Sequence, residues 1–198
     1  MHRVPCSLAA LSVLALVAPA STSLAAPLAA QSTPEGFKTE IEQHFGASAM
    51  KVIMLAEAIP AEKYGWSPGA GVASVSRVYM HIARYNYMYL EENMGIASPV
   101  GEEVYLRWED HVTARFQAKT ASAADKEWII EVLRASVDHV QDSLEPMSDS
   151  DLAASTHLYG RQVQKWAVVL QVVAHMNEHL GQSIAYARTN GIVPPWSR

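Results

Sequence analysis

Apolar side chains recur at helical spacing in four long segments of this chain, and proline or glycine closes each segment. No stretch after residue 30 shows the alternation of a strand or the residues of a hairpin turn. The pattern therefore predicts an all-α fold. The four predicted helices cover residues 34–58, 74–93, 122 up to Pro146, and 162–189.

Side chains that favour helix ends support these boundaries. Thr33 is the expected N-cap of the first helix, with Pro34 at its first helical position. Ser74 and Ser122 are the expected N-caps of the second and third helices. Each of the four helices thus has a local signal for where it begins or ends.

The connections between these helices predict how they pack. Residues 60–72 are too rich in proline and glycine for a regular element and are expected to form a loop. Residues 94–121 form a long crossover between the second and third helices, with a short helix over Glu102–Phe116. We expect a four-helix bundle in which this crossover returns the chain along the bundle, so that the second and third helices lie parallel.

The first thirty residues have the character of a secretory signal peptide. Arg3 supplies the basic start, Leu8–Ala18 is a short apolar run, and Ser23 and Ala25 satisfy the small-x-small rule for cleavage. We expect residues 1–25 to be removed, with Ala30 as a later alternative site, and residues 31–198 to form a single domain. The protein is then exported, periplasmic or extracellular. The apolar run is shorter than the roughly 20 residues of a transmembrane helix, so no stable membrane span is expected after cleavage.

Composition excludes several classes of function. Fifteen basic residues against twenty acidic ones give a net charge of −5, and no basic run is present, so a nucleic-acid partner is not expected. The one cysteine, Cys6, lies in the predicted leader. Disulfides, thiolate metal ligands and cysteine nucleophiles are therefore excluded from the predicted mature chain.

Three histidines are candidates for a metal site. His175 and His179 lie one turn apart on the same face of the fourth helix, where two imidazoles can share an ion. His81 lies on the apolar side of the second helix, where an unpartnered imidazole would be costly. If these helices are neighbours, the three side chains can hold one divalent transition metal (zinc, nickel or iron). The alternative is that His81 hydrogen-bonds a hydroxyl group in the core.

Glu178 is the candidate catalytic residue beside these histidines. The order His-x-x-Glu-His matches the inverted zinc-protease motif, but no acidic residue follows His179 to supply the further ligand of that class. Glu178 could hydrogen-bond a ligand, although a solvated carboxylate on the helix surface is the favoured interpretation.

The remaining aromatic and histidine side chains have simpler interpretations. Tyr85, Tyr87 and Tyr89 cannot all face inward, because residues two apart on a helix point in different directions; one or two of them are expected at a cavity mouth. Four other histidines are expected at the surface: His44, His111, His139 and His157.

The chain resembles the DinB-like (DinB/YfiT) family of four-helix-bundle metalloproteins. Three stretches carry the resemblance: Ile59–Pro68 followed by His81-Ile82-Ala83, then Leu133–Ser136 leading into Val140, and His175–Ile184 continuing to Pro194-Pro195. The family pattern is one histidine on the second helix and two, four apart, on the last. The resemblance thus implies that His81, His175 and His179 bind nickel, zinc or iron, and that a homodimer is possible.

The expected function is that of a metal-dependent enzyme of the hydrolase or transferase type, acting on a small molecule. The metal would serve as a Lewis acid or lower the pKa of a bound water. Some relatives use a low-molecular-weight thiol, but such thiols belong to reducing compartments. One alternative is a non-catalytic metal- or ligand-binding module of the cell envelope; another is a bundle whose histidines are only core residues.

Overall fold

The computed structural model describes Thr33 and residues 35–197, and this part of the chain is mostly helical. The predicted leader, residues 1–25, and its alternative end at Ala30 lie outside the described residues. The long helices are α1 (Phe37–Ala58), α2 (Val75–Met88), α5 (Ala123–Leu144) and α7 (Lys165–Thr189). The shorter ones are α3 (Glu102–Tyr105), α4 (Trp108–Ala118) and α6 (Asp149–Leu152).

Two of the predicted N-caps are confirmed. The Ser74 hydroxyl accepts a hydrogen bond from the backbone N–H of Arg77 at the start of α2. Ser122 and Asp125 form a reciprocal capping box at the start of α5, each side chain accepting from the other's backbone N–H. Both helices therefore begin where the local sequence signals place them.

The predicted start of α1 is wrong by three residues. The helix begins at Phe37, after Gly36, whose backbone is left-handed with φ of +77°. Thr33 is not its N-cap, because its hydroxyl donates instead to the backbone oxygen of Asp149 at 3.0 Å. The side chain predicted to cap α1 therefore makes a tertiary contact instead.

A short antiparallel hairpin corrects the expectation that the chain has no strands. β1 (Ser155–Leu158) pairs with β2 (Arg161–Gln164), and α7 accordingly begins at Lys165 rather than at residue 162. The turn residues Tyr159 and Gly160 both have positive φ, as a two-residue hairpin of this kind requires. Strands of four residues are too short to show alternation, and Tyr-Gly is not among the strongest hairpin signals, so the sequence pattern did not reveal them.

The segment between α2 and α5 also differs from its prediction. The helical run of α2 continues as a π-helical turn, Tyr89–Met94, and ends at Gly95. The single short helix expected over Glu102–Phe116 is instead two helices, α3 and α4, separated at Leu106 and Arg107. This separation lets α4 lie against α2, which places Glu109 beside the histidine of α2.

The long helices contact one another in pairs around one core. α1 packs against α5 and α7, and α2 packs against the same two helices. Most of the buried side chains are aliphatic or aromatic. A polar contact crosses the core between α2 and α5, where Asn86 Nδ2 donates to Ser136 Oγ at 3.1 Å. Among the described residues, no helix is both long and apolar enough to cross a membrane.

Candidate metal centre

The structure brings together the three histidines that the sequence singled out. His81 comes from α2, and His175 and His179 come from consecutive turns of α7, which packs against α2. One potential ligand atom from each side chain lies within 4.8 Å of the other two. His175 is buried, whereas His81 and His179 are half-buried. The three imidazoles therefore meet just below the protein surface, and His175 is the most deeply buried of them.

Glu109 of α4 fixes the imidazole of His81. One carboxylate oxygen of Glu109 lies 2.9 Å from His81 Nδ1. An ionised carboxylate can only accept a hydrogen bond, so Nδ1 is the donor and Nε2 is the ring nitrogen that can offer a lone pair. This is the arrangement in which a carboxylate orients a metal-binding histidine and makes it more basic.

Two arginines of α2 keep Glu109 ionised. Arg84 Nη1 donates to the oxygen that accepts from His81, and Arg77 Nε donates to the other oxygen, each at 3.1 Å. Burial raises the pKa of Glu109, but the contact with His81 and the charges of both arginines outweigh that effect and lower its pKa overall. The carboxylate is therefore an acceptor for His81 at neutral pH.

A chain of hydrogen bonds orients His179 in the same sense. The hydroxyl of Tyr186 donates to the backbone oxygen of Ala73 at 3.0 Å and accepts from Gln182 Nε2 at 2.8 Å. The amide oxygen of Gln182 then accepts from His179 Nδ1, at 2.8 Å. His179 thus also has its lone pair on Nε2, because its other ring nitrogen is a donor.

His175 is held neutral by its surroundings. Burial, together with the neighbouring imidazoles of His179 and His81, lowers the pKa of His175 to about 3. Its ring packs against the rings of Tyr85 and Tyr89, with centroid distances of 4.7 and 5.7 Å. Burial likewise lowers the pKa of His179. Both side chains therefore have a free lone pair at neutral pH.

These residues fit a divalent transition metal. Three neutral imidazole nitrogens suit zinc, nickel or iron(II), whereas magnesium and calcium prefer oxygen ligands. A tetrahedral ion with bonds of about 2.1 Å holds its nitrogens roughly 3.4 Å apart. The three ligand atoms lie within 4.8 Å of one another, which is close to that spacing. Two of the three rings are already anchored through Nδ1, which favours Nε2 as the ligand atom.

A small cavity gives access to the histidines. Its volume is about 230 Å³, and its lining includes His81, His179, Glu109, Gln182 and Arg77. The cavity therefore reaches two of the imidazoles and both of the groups that orient them. A small molecule in this cavity would contact His81 and His179 directly.

Glu178 and the three tyrosines Tyr85, Tyr87 and Tyr89 differ in whether they face the histidines. Glu178 is exposed on α7, as the favoured interpretation has it. Tyr85 and Tyr89 pack on His175, while Tyr87 turns away to stack on Tyr105. Only part of this tyrosine set therefore faces the histidines.

Of the four histidines expected at the surface, one is placed differently. His44, His111 and His157 are exposed, as predicted. His139 is half-buried against the ring of Tyr87, with centroids 5.1 Å apart, and burial lowers its pKa. The expectation for His139 is wrong because α5 turns this side chain toward the aromatic residues on the far side of α2.

Sequence reasoning missed Glu109. The residue is buried, and so are Trp108 and Val112, which lie on the same face of α4. An acidic residue between two apolar positions of one helical face was the available signal. That signal is weak, because acidic side chains are favoured in the first turn of any helix.

Comparisons with known proteins identify the family and agree with the fold. The model of the DinB family matches residues 32–198. Among solved structures, the chain is similar to a DinB-like protein from Bacillus cereus ATCC 10987, with 18% identity and a TM-score of 0.60. The match covers 83% of this chain and 97% of the other, and at that identity it shows the fold alone. The comparison with curated proteins gave no match.

Proposed function

This chain belongs to the DinB family, and on that premise we propose that His81, His175 and His179 bind one divalent transition-metal ion. One observation carries the proposal. Three imidazoles from two helices meet within 4.8 Å, and Glu109 and Gln182 hold two of them with Nδ1 as the donor. A histidine that only fills space in a core has no need of such matched orientation.

The activity we propose is that of a metal-dependent enzyme of the hydrolase or transferase type, acting on a small molecule. A bound ion would supply Lewis-acid chemistry to a substrate group. The cavity of about 230 Å³ would admit that group to His81 and His179. Glu109 holds the proton of His81 Nδ1 and balances positive charge on that ring, and the Gln182–Tyr186 pair keeps His179 in place. The cavity favours an enzyme over a module that only stores or senses a metal, because such a module does not need open space beside the ion. The other alternative, a non-catalytic module that binds a small ligand, is separated from an enzyme by the activity screen below.

The wider organisation of the chain is part of the same proposal. α1, α2, α5 and α7 would form a four-helix bundle, since α1 and α2 each contact both α5 and α7. The segment with α3 and α4 would be the crossover between α2 and α5. The basic start, short apolar run and small residues before Ala25 support export, after which residues 31–198 would act as a single domain outside the cytoplasm.

Elemental analysis of the purified mature protein tests the metal site. We expect about one equivalent of zinc, nickel or iron per chain, and loss of that metal in His81→Ala and His175→Ala, because two imidazoles bind far more weakly than three. His44→Ala is the matched control, since His44 is exposed on α1. We expect that variant to keep its metal.

The outcome also separates the alternatives. If the wild type takes up no metal after reconstitution with zinc, nickel and iron, both metal-based functions fail and the histidines are core residues only. If the metal binds but a screen of esters, amides and group-transfer substrates finds no reaction, the enzyme proposal fails and the non-catalytic binding module becomes the proposed function. Variants are compared by circular dichroism, so that lost metal is not confused with lost folding.

A further inference from the structure

A second, larger cavity adjoins the small one at Arg77. Its volume is about 510 Å³, and it lies between the loop before α2 and helix α4. Ala73 and Arg77 line both cavities. The side chain of Arg77 therefore stands where a molecule would pass from the larger cavity toward the histidines.

The lining of the larger cavity favours an anion. Among its described lining residues, Arg77 is the one charged side chain. The carboxylate that pairs with Arg77, Glu109, lines the adjoining small cavity instead. Neutral donors also line the larger cavity, because the hydroxyl of Ser74 and the amide of Gln117 can each donate to a ligand. The hydroxyls of Ser67 and Thr113 already donate to the backbone oxygens of Gly69 and Glu109. A single cation among neutral donors is the usual chemistry for recognising a small anionic group.

Arg77 is positioned but not saturated by its contacts. Its Nε donates to Glu109 and its Nη1 donates to Thr113 Oγ1 at 3.3 Å. These two contacts use two of the donors of a guanidinium, and 37% of the side chain is still exposed. The remaining donors can bind an anion without breaking the contact that keeps Glu109 in place.

The charges next to Arg77 do not cancel. Arg77 and Arg84 both pair with Glu109, so the three linked side chains carry a net charge of +1. A divalent ion on three neutral imidazoles would add to this positive charge. An anionic molecule therefore gains electrostatically on approaching the histidines by way of Arg77.

We propose that Arg77 binds a carboxylate or phosphate group and so selects anionic small molecules as the substrates of this site. Arg77 and His81 lie four residues apart on α2, a separation of about 6 Å between their Cβ atoms. The anionic group and the reacting group of the substrate would then be about one helical turn apart. This inference rests on the proposed function, because it names the substrate class of the same site.

Titration of the full-length mature chain with inorganic phosphate, acetate and neutral acetamide tests the proposal. Binding is followed by NMR, through the Nε–H signal of Arg77 and the backbone amide of Thr113, with the protein as purified and again after removal of metal. We expect saturable shifts with phosphate or acetate but not with acetamide. In Arg77→Gln the dissociation constant should rise about tenfold or more, because a charge-assisted contact is lost.

Two further comparisons separate binding from folding. Ala70 is exposed on the wall of the larger cavity, so Ala70→Glu places a repelling carboxylate there while Ala70→Gln matches its size. We expect only Ala70→Glu to weaken anion binding. Arg134→Gln is the remote control, because Arg134 pairs with Glu57 elsewhere on the surface. Equal anion affinity in the wild type, Arg77→Gln and Ala70→Glu would overturn the proposal, and the ratio of phosphate to acetate affinity would identify the preferred anion.

Metal content measured on the same samples distinguishes this inference from the proposed function. Anion binding that depends on Arg77 in a chain that takes up no metal would support the anion site and refute the metal site. A full equivalent of metal with no Arg77-dependent anion binding would support the metal site and refute the anion site.

Discussion

Replacement of Glu109 by glutamine tests whether this carboxylate governs the histidine cluster. Glu109→Gln removes one negative charge from a buried group that contacts His81 at 2.9 Å and both Arg77 and Arg84 at 3.1 Å. Loss of a carboxylate behind a metal-binding histidine typically lowers metal affinity by about 10- to 100-fold. That range corresponds to about 1.4–2.8 kcal/mol of binding free energy.

The same change should lower the stability of the metal-free protein. Glutamine can still accept from His81 through its amide oxygen, but it loses the charge that pairs with two arginines. Because Arg77 and Arg84 are 37% and 26% exposed, water screens part of this loss. We expect the free energy of unfolding to fall by about 1–3 kcal/mol in urea denaturation.

The assay is zinc affinity, measured by competition with a chelator of known affinity at constant pH and ionic strength. Glu178→Gln is the matched control, because it removes the same charge from an exposed residue that adjoins His179 in sequence. Solvent screens an exposed charge, so we expect this control to stay within about threefold of the wild type.

A double-mutant cycle with His81→Ala shows whether Glu109 acts through His81. If it is a positioning residue for that ring, Glu109→Gln should cost little further affinity once His81 is absent. The reasoning is refuted if Glu109→Gln binds zinc as the wild type does, or if Glu178→Gln is the variant that loses affinity.

Two further predictions concern stability. Asp125→Asn removes the negative charge from the capping box of α5 and breaks the ion pair with Arg115, and we expect it to cost about 1–2 kcal/mol at pH 7. The hydrogen bonds from Ser122 and the charge of Arg115 hold the pKa of Asp125 well below its usual range despite its burial. Its stabilisation is therefore complete above the unfolded pKa of about 3.9 and is lost as the pH falls toward the folded value. Urea denaturation at several pH values should show the gap between wild type and variant closing only in acid; a gap that widens in acid would contradict this. Gly160→Ala should destabilise the hairpin by about 1–2 kcal/mol, because Gly160 has φ of +72°. The control is Gly181→Ala, because Gly181 lies in α7 and an added Cβ there would meet no atom within 4 Å. We expect this change to raise the free energy of unfolding by roughly 0.5–1 kcal/mol. Equal effects of the two changes would contradict the argument from backbone conformation.

The helices and their caps were accessible from sequence because the forces that set them are local. Ser74 and Ser122 cap helices through partners within three residues, so the pattern alone identifies them. The register of α7 likewise places His175 and His179 on one face through helical geometry. The start of α1 was misplaced where a distant partner, Asp149, took the hydroxyl of Thr33.

The hairpin and the hydrogen-bond partners of the histidines could not be predicted from local sequence patterns. Two strands of four residues gain their stability from pairing with each other and packing on the helices, which no short window of sequence reports. Glu109 lies 28 positions from His81, and Ala73 lies 113 positions from Tyr186. Such pairs depend on the angle at which α4 and the loop before α2 meet the helices.

The sequence by itself determined that this chain is helical and that His175 and His179 share one face of a helix, and its resemblance to the DinB-like family singled out His81 as the third candidate. The helices follow from periodicity and capping, and the shared face follows from spacing along a single helix. Only the tertiary structure decided which carboxylate orients His81, how His179 is held, and that Arg77 stands between two cavities. The physical reason is that hydrogen bonds between distant segments form only after the helices have packed, and packing angles are set by the whole core.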